Sequence, residues 1–115
     1  MATEERNQII VDTFITAVEG GINYWASLSE YSHKEGAETV TVWEDSESEE
    51  GTTHVVVPED LRKVFTGIRS GKIEVAPYIA EQVKLAYTDP DSCDIDADVA
   101  DVIFQIAIFG QVVFG

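Results

Sequence analysis

Two stretches rich in strong β-formers flank an acidic connection, and no other feature narrows the fold of this chain as much. Glu38-Thr39-Val40-Thr41-Val42-Trp43 alternates with period two, and Thr52-Thr53-His54-Val55-Val56-Val57 is its natural partner. Between them lies Glu44-Asp45-Ser46-Glu47-Ser48-Glu49-Glu50-Gly51, a polar run with five carboxylates that suits a hairpin connection and no helix. Upstream, Ile22 to Ser32 mixes aromatic and small residues with polar ones and predicts a further strand. Three such runs make an antiparallel meander, the minimum that stands without further pairing.

Helical signals surround this sheet. Ile10, Phe14, Ala17 and Val18 fall at helical spacing, with Thr3 as the expected N-cap, Glu4 and Glu5 in the first turn, and Gly20-Gly21 as the stop. Pro58-Glu59-Asp60 opens a second helix with the stripe Leu61, Val64, Phe65 and Ile68, ended by Gly71. A third helix is predicted from Pro77 to Ala86, and a fourth from Asp96 through Val99, Val102, Ile103 and Ile106. The apolar tail Val112-Val113-Phe114 is expected to dock on the core or on a second subunit. These elements predict one α+β domain over residues 1–115, a three-stranded antiparallel sheet packed against about four helices, with the N-terminal helix first.

Charge restricts the partners. The chain carries 22 acidic residues against seven Lys and Arg, a net charge of −15. Such a surface repels phosphates and anionic lipid headgroups, so direct nucleic-acid binding and membrane association are both disfavoured. Basic proteins, basic clefts and divalent cations are favoured. Cys93 is the lone cysteine, which precludes an intrachain disulfide and fits a cytoplasmic location, as does an N-terminus that is acidic where a signal peptide is cationic.

The charges are also unevenly spread along the chain. No Lys or Arg stands between Glu35 and Leu61 or after Lys84, while Arg62, Lys63, Arg69 and Lys72 crowd the second helix and its exit. Two acidic clusters are therefore candidate binding surfaces for a basic protein: Glu44, Asp45, Glu47, Glu49 and Glu50 in the hairpin connection, and Asp91, Asp94, Asp96 and Asp98 before the last helix. Each has a plainer reading. A charged hairpin loop is commonly just solvated, and aspartates at a helix start cap it and complement its dipole. A calcium loop would need a glycine and a closing glutamate that the aspartate run lacks, so no metal site is assigned. Tyr31, Trp43, Phe109 and Phe114 are the candidate apolar interface anchors, with core packing as the alternative.

Catalytic patterns are missing. His33 and His54 neighbour no nucleophile pattern, Cys93 has no nearby cation to lower its pKa, and no glycine spacing fits a phosphate loop. The sequence predicts no enzyme and no cofactor.

Glu19-Gly20-Gly21-Ile22-Asn23-Tyr24-Trp25-Ala26, together with Asp96-Ala97-Asp98-Val99-Ala100-Asp101-Val102-Ile103-Phe104-Gln105 and Phe109-Gly110, resembles small uncharacterised proteins encoded by actinobacterial tailed phages. The likeness covers the two ends of the chain and transfers no functional residue. It implies a setting: an accessory protein in the cytoplasm of a bacterial host, where small acidic phage proteins often occupy the nucleic-acid cleft of a host enzyme. The leading expectation is thus a partner-binding protein, either a nucleic-acid mimic or an anti-defence inhibitor. The alternatives are an oligomeric assembly protein, with a homodimer through the apolar C-terminal segment, and a small-ligand or calcium-binding module.

Overall fold

A computed structural model describes residues 2–22, 24–32, 38–44 and 53–113; Ala2, Thr3, Ser27, Ser29, Glu30, Trp43, Glu44 and Thr53 are described by their backbone alone. The order of elements is α1 (Ala2–Thr16), a π-helical turn (Ala17–Gly21), β1 (Ala26–Ser32), β2 (Thr39–Glu44), β3 (Thr53–Val56), α2 (Pro58–Arg69), α3 (Pro77–Thr88), a 3₁₀ turn (Pro90–Ser92) and α4 (Ala97–Phe109). This is the α+β arrangement that the alternation and helical spacing predict, with the N-terminal helix first.

The sheet is an antiparallel meander in the order β1-β2-β3. Leu28 stands opposite Val42 and Val42 opposite His54, while Val40 faces Val56. Val40, Val42 and Val56 are buried, whereas Val55, one position out of phase, is exposed. One face of the pleat therefore covers the helices, as period-two alternation requires. Between Ser29 and Ser32 the register slips, and Tyr31 packs its ring 6.4 Å from that of Phe14 in α1.

Four helices close on a shared core. Ile10 and Phe14 of α1, Leu61 and Phe65 of α2, Val83 of α3, and Val99, Ile103 and Phe104 of α4 are all fully buried or nearly so. The local signals of α2 act as read. Pro58 opens the helix, and the Asp60 carboxylate accepts the Val57 amide at 3.0 Å, meeting a donor that the helix cannot satisfy. Gly71 follows at φ 85°, the left-handed conformation that glycine adopts without a Cβ penalty. At α4, Asp96 is the N-cap, accepting the Val99 amide at 2.9 Å, and Gly110 closes the helix at φ 77°.

Several boundaries differ from expectation. Helix α1 begins at Ala2, so Thr3 lies inside it and is no N-cap. Gly20-Gly21 does not end α1 with a left-handed turn, since only Gly71 and Gly110 have positive φ among the described glycines. The ladder instead widens to a π turn, closed by the Ile22 amide on the Ala17 carbonyl at 3.1 Å. Gly21 is needed for space: a Cβ there would stand 2.9 Å from the backbone oxygen of Ala97. The predicted strand from Ile22 starts four residues late, because the Trp25 and Ala26 amides both donate to the Ile22 carbonyl and turn the chain first. Helix α3 runs two residues past Ala86, to Thr88.

Candidate functional site

The connection from α3 to α4 displays its aspartates outward. Asp89, Asp91, Asp94, Asp96 and Asp98 are all exposed, and among the described residues none has a Lys or Arg within ion-pair distance. Local hydrogen bonds hold the segment in shape. Ser92 Oγ donates to Asp89 Oδ2 at 2.7 Å, and the Asp94 amide donates to Gln82 Oε1 at 2.7 Å. Cys93 anchors it from below, with its thiol on the Gln82 carbonyl at 3.3 Å. Asp12 of α1 shares a small cleft of about 160 Å³ with Asp94, bringing a carboxylate of α1 beside the connection.

These carboxylates do not all serve the same purpose. Asp96 is committed to the α4 cap, and Asp98 sits in the first turn, where the helix dipole favours negative charge. Asp91 and Asp94 make no such structural contact through their carboxylates and are the freest to meet a partner. Among the described residues no group of three His, Cys, Asp or Glu is placed to hold a metal ion. No helix among them is long and apolar enough to cross a membrane.

The second acidic cluster is only partly placed. Glu44 ends β2, its backbone opposite Ala26, while Asp45, Glu47, Glu49 and Glu50 lie outside the described residues. Trp43 pairs by backbone with Ser27 and Thr53, and Phe114 also lies outside the described residues, as does His33.

Two interface candidates also pack within the chain. Tyr31 is half-buried against Phe14, on the side of the sheet that covers the helices. Phe109, also half-buried, lies 5.6 Å from the Trp25 ring and 5.6 Å edge-on from the His54 ring. Both rings make intramolecular contacts and stay partly exposed, because each stands where the sheet closes over a helix. Within one chain the described part of the apolar tail does not dock on the core. Val112 and Val113 are 48% and 51% exposed, and what fixes the tail is the Val113 amide, which donates to Gln105 Oε1 at 2.8 Å.

Asp101, three residues beyond the exposed Asp98, is buried, with 8% exposure. Its carboxylate accepts the Tyr24 hydroxyl at 2.6 Å, the Trp25 indole N–H at 2.8 Å and the Gln105 amide at 2.9 Å. A buried carboxylate with three donors is compensated rather than strained. The Tyr24 ring is 59% exposed, yet its hydroxyl turns inward. Desolvation of that end, the bond to Asp101 and repulsion from the same carboxylate push it up to about 12. A phenol so held is a hydrogen-bond donor and a poor proton acceptor at neutral pH. The cluster binds the turn before β1 to α4 and lends itself to structure before chemistry.

Other titratable groups give catalysis little to work with. Burial and the neighbouring Asp94 push the Cys93 thiol up, the opposite of what a nucleophile needs. No family model matches this chain, and no curated protein or solved structure does either.

Proposed function

We propose that this chain is a non-enzymatic binding protein that presents the exposed aspartates between α3 and α4 to a basic surface of another protein. The observation that carries this reading is that Asp89, Asp91, Asp94, Asp96 and Asp98, within ten residues of chain, are exposed and make no ion pair with a Lys or Arg among the described residues. Unneutralised charges held on a short, hydrogen-bonded segment repel one another, and a cationic partner relieves that repulsion while being steered toward it. Glu44, Asp45, Glu47, Glu49 and Glu50 add further negative charge to the chain. The resemblance to phage proteins supplies the setting, a bacterial cytoplasm, and a partner whose basic cleft ordinarily takes nucleic acid. Occupying that cleft is how a protein without catalytic groups would inhibit.

The test is capture from bacterial lysate by the wild-type chain and by an Asp91→Asn, Asp94→Asn, Asp98→Asn variant, each at low and high salt. Asp96 is spared because it caps α4. A partner lost both on neutralisation and in high salt supports the reading. Capture indifferent to both removes it.

A second reading is self-association through the C-terminal end. Val112 stands beside a groove of about 410 Å³ lined by Val75, Tyr78, Ile79 and Val102, and Tyr78 and Val113 are exposed next to it in structure or sequence. Light scattering over a range of concentrations tests this, and a strict monomer would exclude it.

A further inference from the structure

All three arginines of this acidic chain meet where α1, α2 and α3 come together. The guanidinium carbon of Arg6 stands 4.5 Å from the centre of the Tyr87 ring, and that of Arg69 stands 5.7 Å from the same centre. Arg62 lies seven residues before Arg69, two turns away on the same face of α2. It donates to Asn7 Oδ1 at 2.6 Å, beside Arg6, and pairs with Glu59 at 2.8 Å. Arg62 is therefore neutralised. Among the described residues no carboxylate lies within 4.0 Å of the guanidinium of Arg6 or Arg69.

With 22 acids against seven cations, two guanidiniums set on one ring without an ion pair to any described carboxylate need a reason. Cation–π stacking accounts for their attachment to Tyr87 but not for bringing two like charges to one ring. Stacking occupies the face of a guanidinium and leaves its N–H edge available, the edge that matches a phosphate with two parallel bonds.

We propose that Arg6 and Arg69, arrayed on Tyr87, form a binding site for a compact phosphate-bearing anion of the pyrophosphate type. The surroundings select for compactness. Glu4 and Glu5 precede Arg6, and Asp89 and Asp91 follow Tyr87, all exposed, so an extended polyanion meets repulsion on both flanks. A small anion spans less of those acidic flanks than an extended one does, and so meets less of their repulsion. The site is built from Arg6, Arg69 and Tyr87, none of which belongs to the aspartate surface, so either can fail without the other.

The experiment is calorimetric titration of the full chain with inorganic pyrophosphate at low ionic strength. One pyrophosphate is expected per chain. Arg69→Gln and Arg6→Gln should each weaken binding by about tenfold or more, and Arg69→Lys, which keeps the charge and loses the fork, by less. Lys63→Gln, on a cleft against α4, should leave binding unchanged. Arg69 is exposed near the end of α2, so its variant keeps the fold, and melting each ligand-free variant alongside identifies any that do not. A single-stranded DNA oligonucleotide should bind more weakly than pyrophosphate. Absence of pyrophosphate binding, or binding untouched by both glutamine variants, would overturn the site, and tighter binding of the oligonucleotide would overturn its assignment to a compact anion.

Discussion

The indole N–H of Trp25 donates to the Asp101 carboxylate across 2.8 Å, tying the turn before β1 to the second turn of α4 over 76 residues of sequence. Asp101→Ala withdraws the acceptor from two buried donors, the indole and the Gln105 amide, and from the Tyr24 hydroxyl. Such losses cost about 2–4 kcal/mol together, given that a buried donor deprived of its acceptor costs about 1–3 kcal/mol. The expected drop in melting temperature is on the order of 10 °C for a domain of this size. Asp101→Asn retains one acceptor oxygen and should lose less. Denaturant midpoints measure both, and an alanine variant within about 0.5 kcal/mol of wild type would show the cluster to be dispensable.

How much of this was legible follows from how local each cause is. Pro58 and Asp60, Gly71, Asp96 and Gly110 act within one turn of where they stand, so α2 and α4 could be read from their ends. The pairing of β2 with β3 was legible because alternation in β2 assigns its faces and the two runs flank one short connection, while the order of the whole sheet came only from the structure. The role of Asp101 was not legible because two of its donors, Tyr24 and Trp25, come from the other end of the chain. On α4 alone, Asp101 and Gln105 look like a narrow polar face, one helical turn apart, and only the Tyr24–Trp25 turn covers them. A signal did exist: a Tyr and a Trp each need a hydrogen-bond acceptor when their polar ends are buried, and an acid and an amide four residues apart in an apolar helix supply one. The π turn was invisible because it depends on Gly21 meeting Ala97, a contact no local pattern encodes.

The two adjacent glycines separate cleanly by substitution. Alanine at Gly21 brings its Cβ to 2.9 Å from the Ala97 carbonyl oxygen, which belongs to a helix backbone and cannot rotate away. Gly21→Ala should destabilise by about 1–3 kcal/mol through overpacking. At Gly20 nothing lies within 4 Å and φ is not positive. Gly20→Ala should be neutral or stabilise by up to about 1 kcal/mol, by reducing the freedom of the unfolded chain. Equal effects at the two positions, read from urea midpoints, would contradict the packing of the π turn on α4.

Cys93 should react slowly in the native state. Its thiol is pushed up by burial and by Asp94, and it donates to the Gln82 carbonyl at 3.3 Å, so little thiolate is present near neutral pH. An aromatic disulfide reagent is expected to label it at least about tenfold more slowly than a free thiol, while the unfolded chain reacts at the free rate. Native labelling as fast as the unfolded chain would show that the α3–α4 connection does not hold the sulfur down.

Alkaline pH should loosen the fold through its tyrosines. The Tyr24 hydroxyl is raised from 10.0 to about 12, first by desolvation and then by Asp101, with the Gln105 amide pulling weakly the other way. Tyr31 is raised as well, by burial and by the carboxylates of Glu19 and Glu38. In the unfolded chain both titrate near their ordinary value of about 10, so above that pH the native state holds protons the unfolded state has released. Their contribution is fully present below about pH 10 and is lost as the pH rises toward about 12. Tyr24→Phe removes one of the two titrations, so its urea midpoint should fall less steeply between about pH 9.5 and 11.5, whatever its value at neutrality. Parallel slopes for wild type and variant would mean that the Tyr24 hydroxyl is not turned in against Asp101.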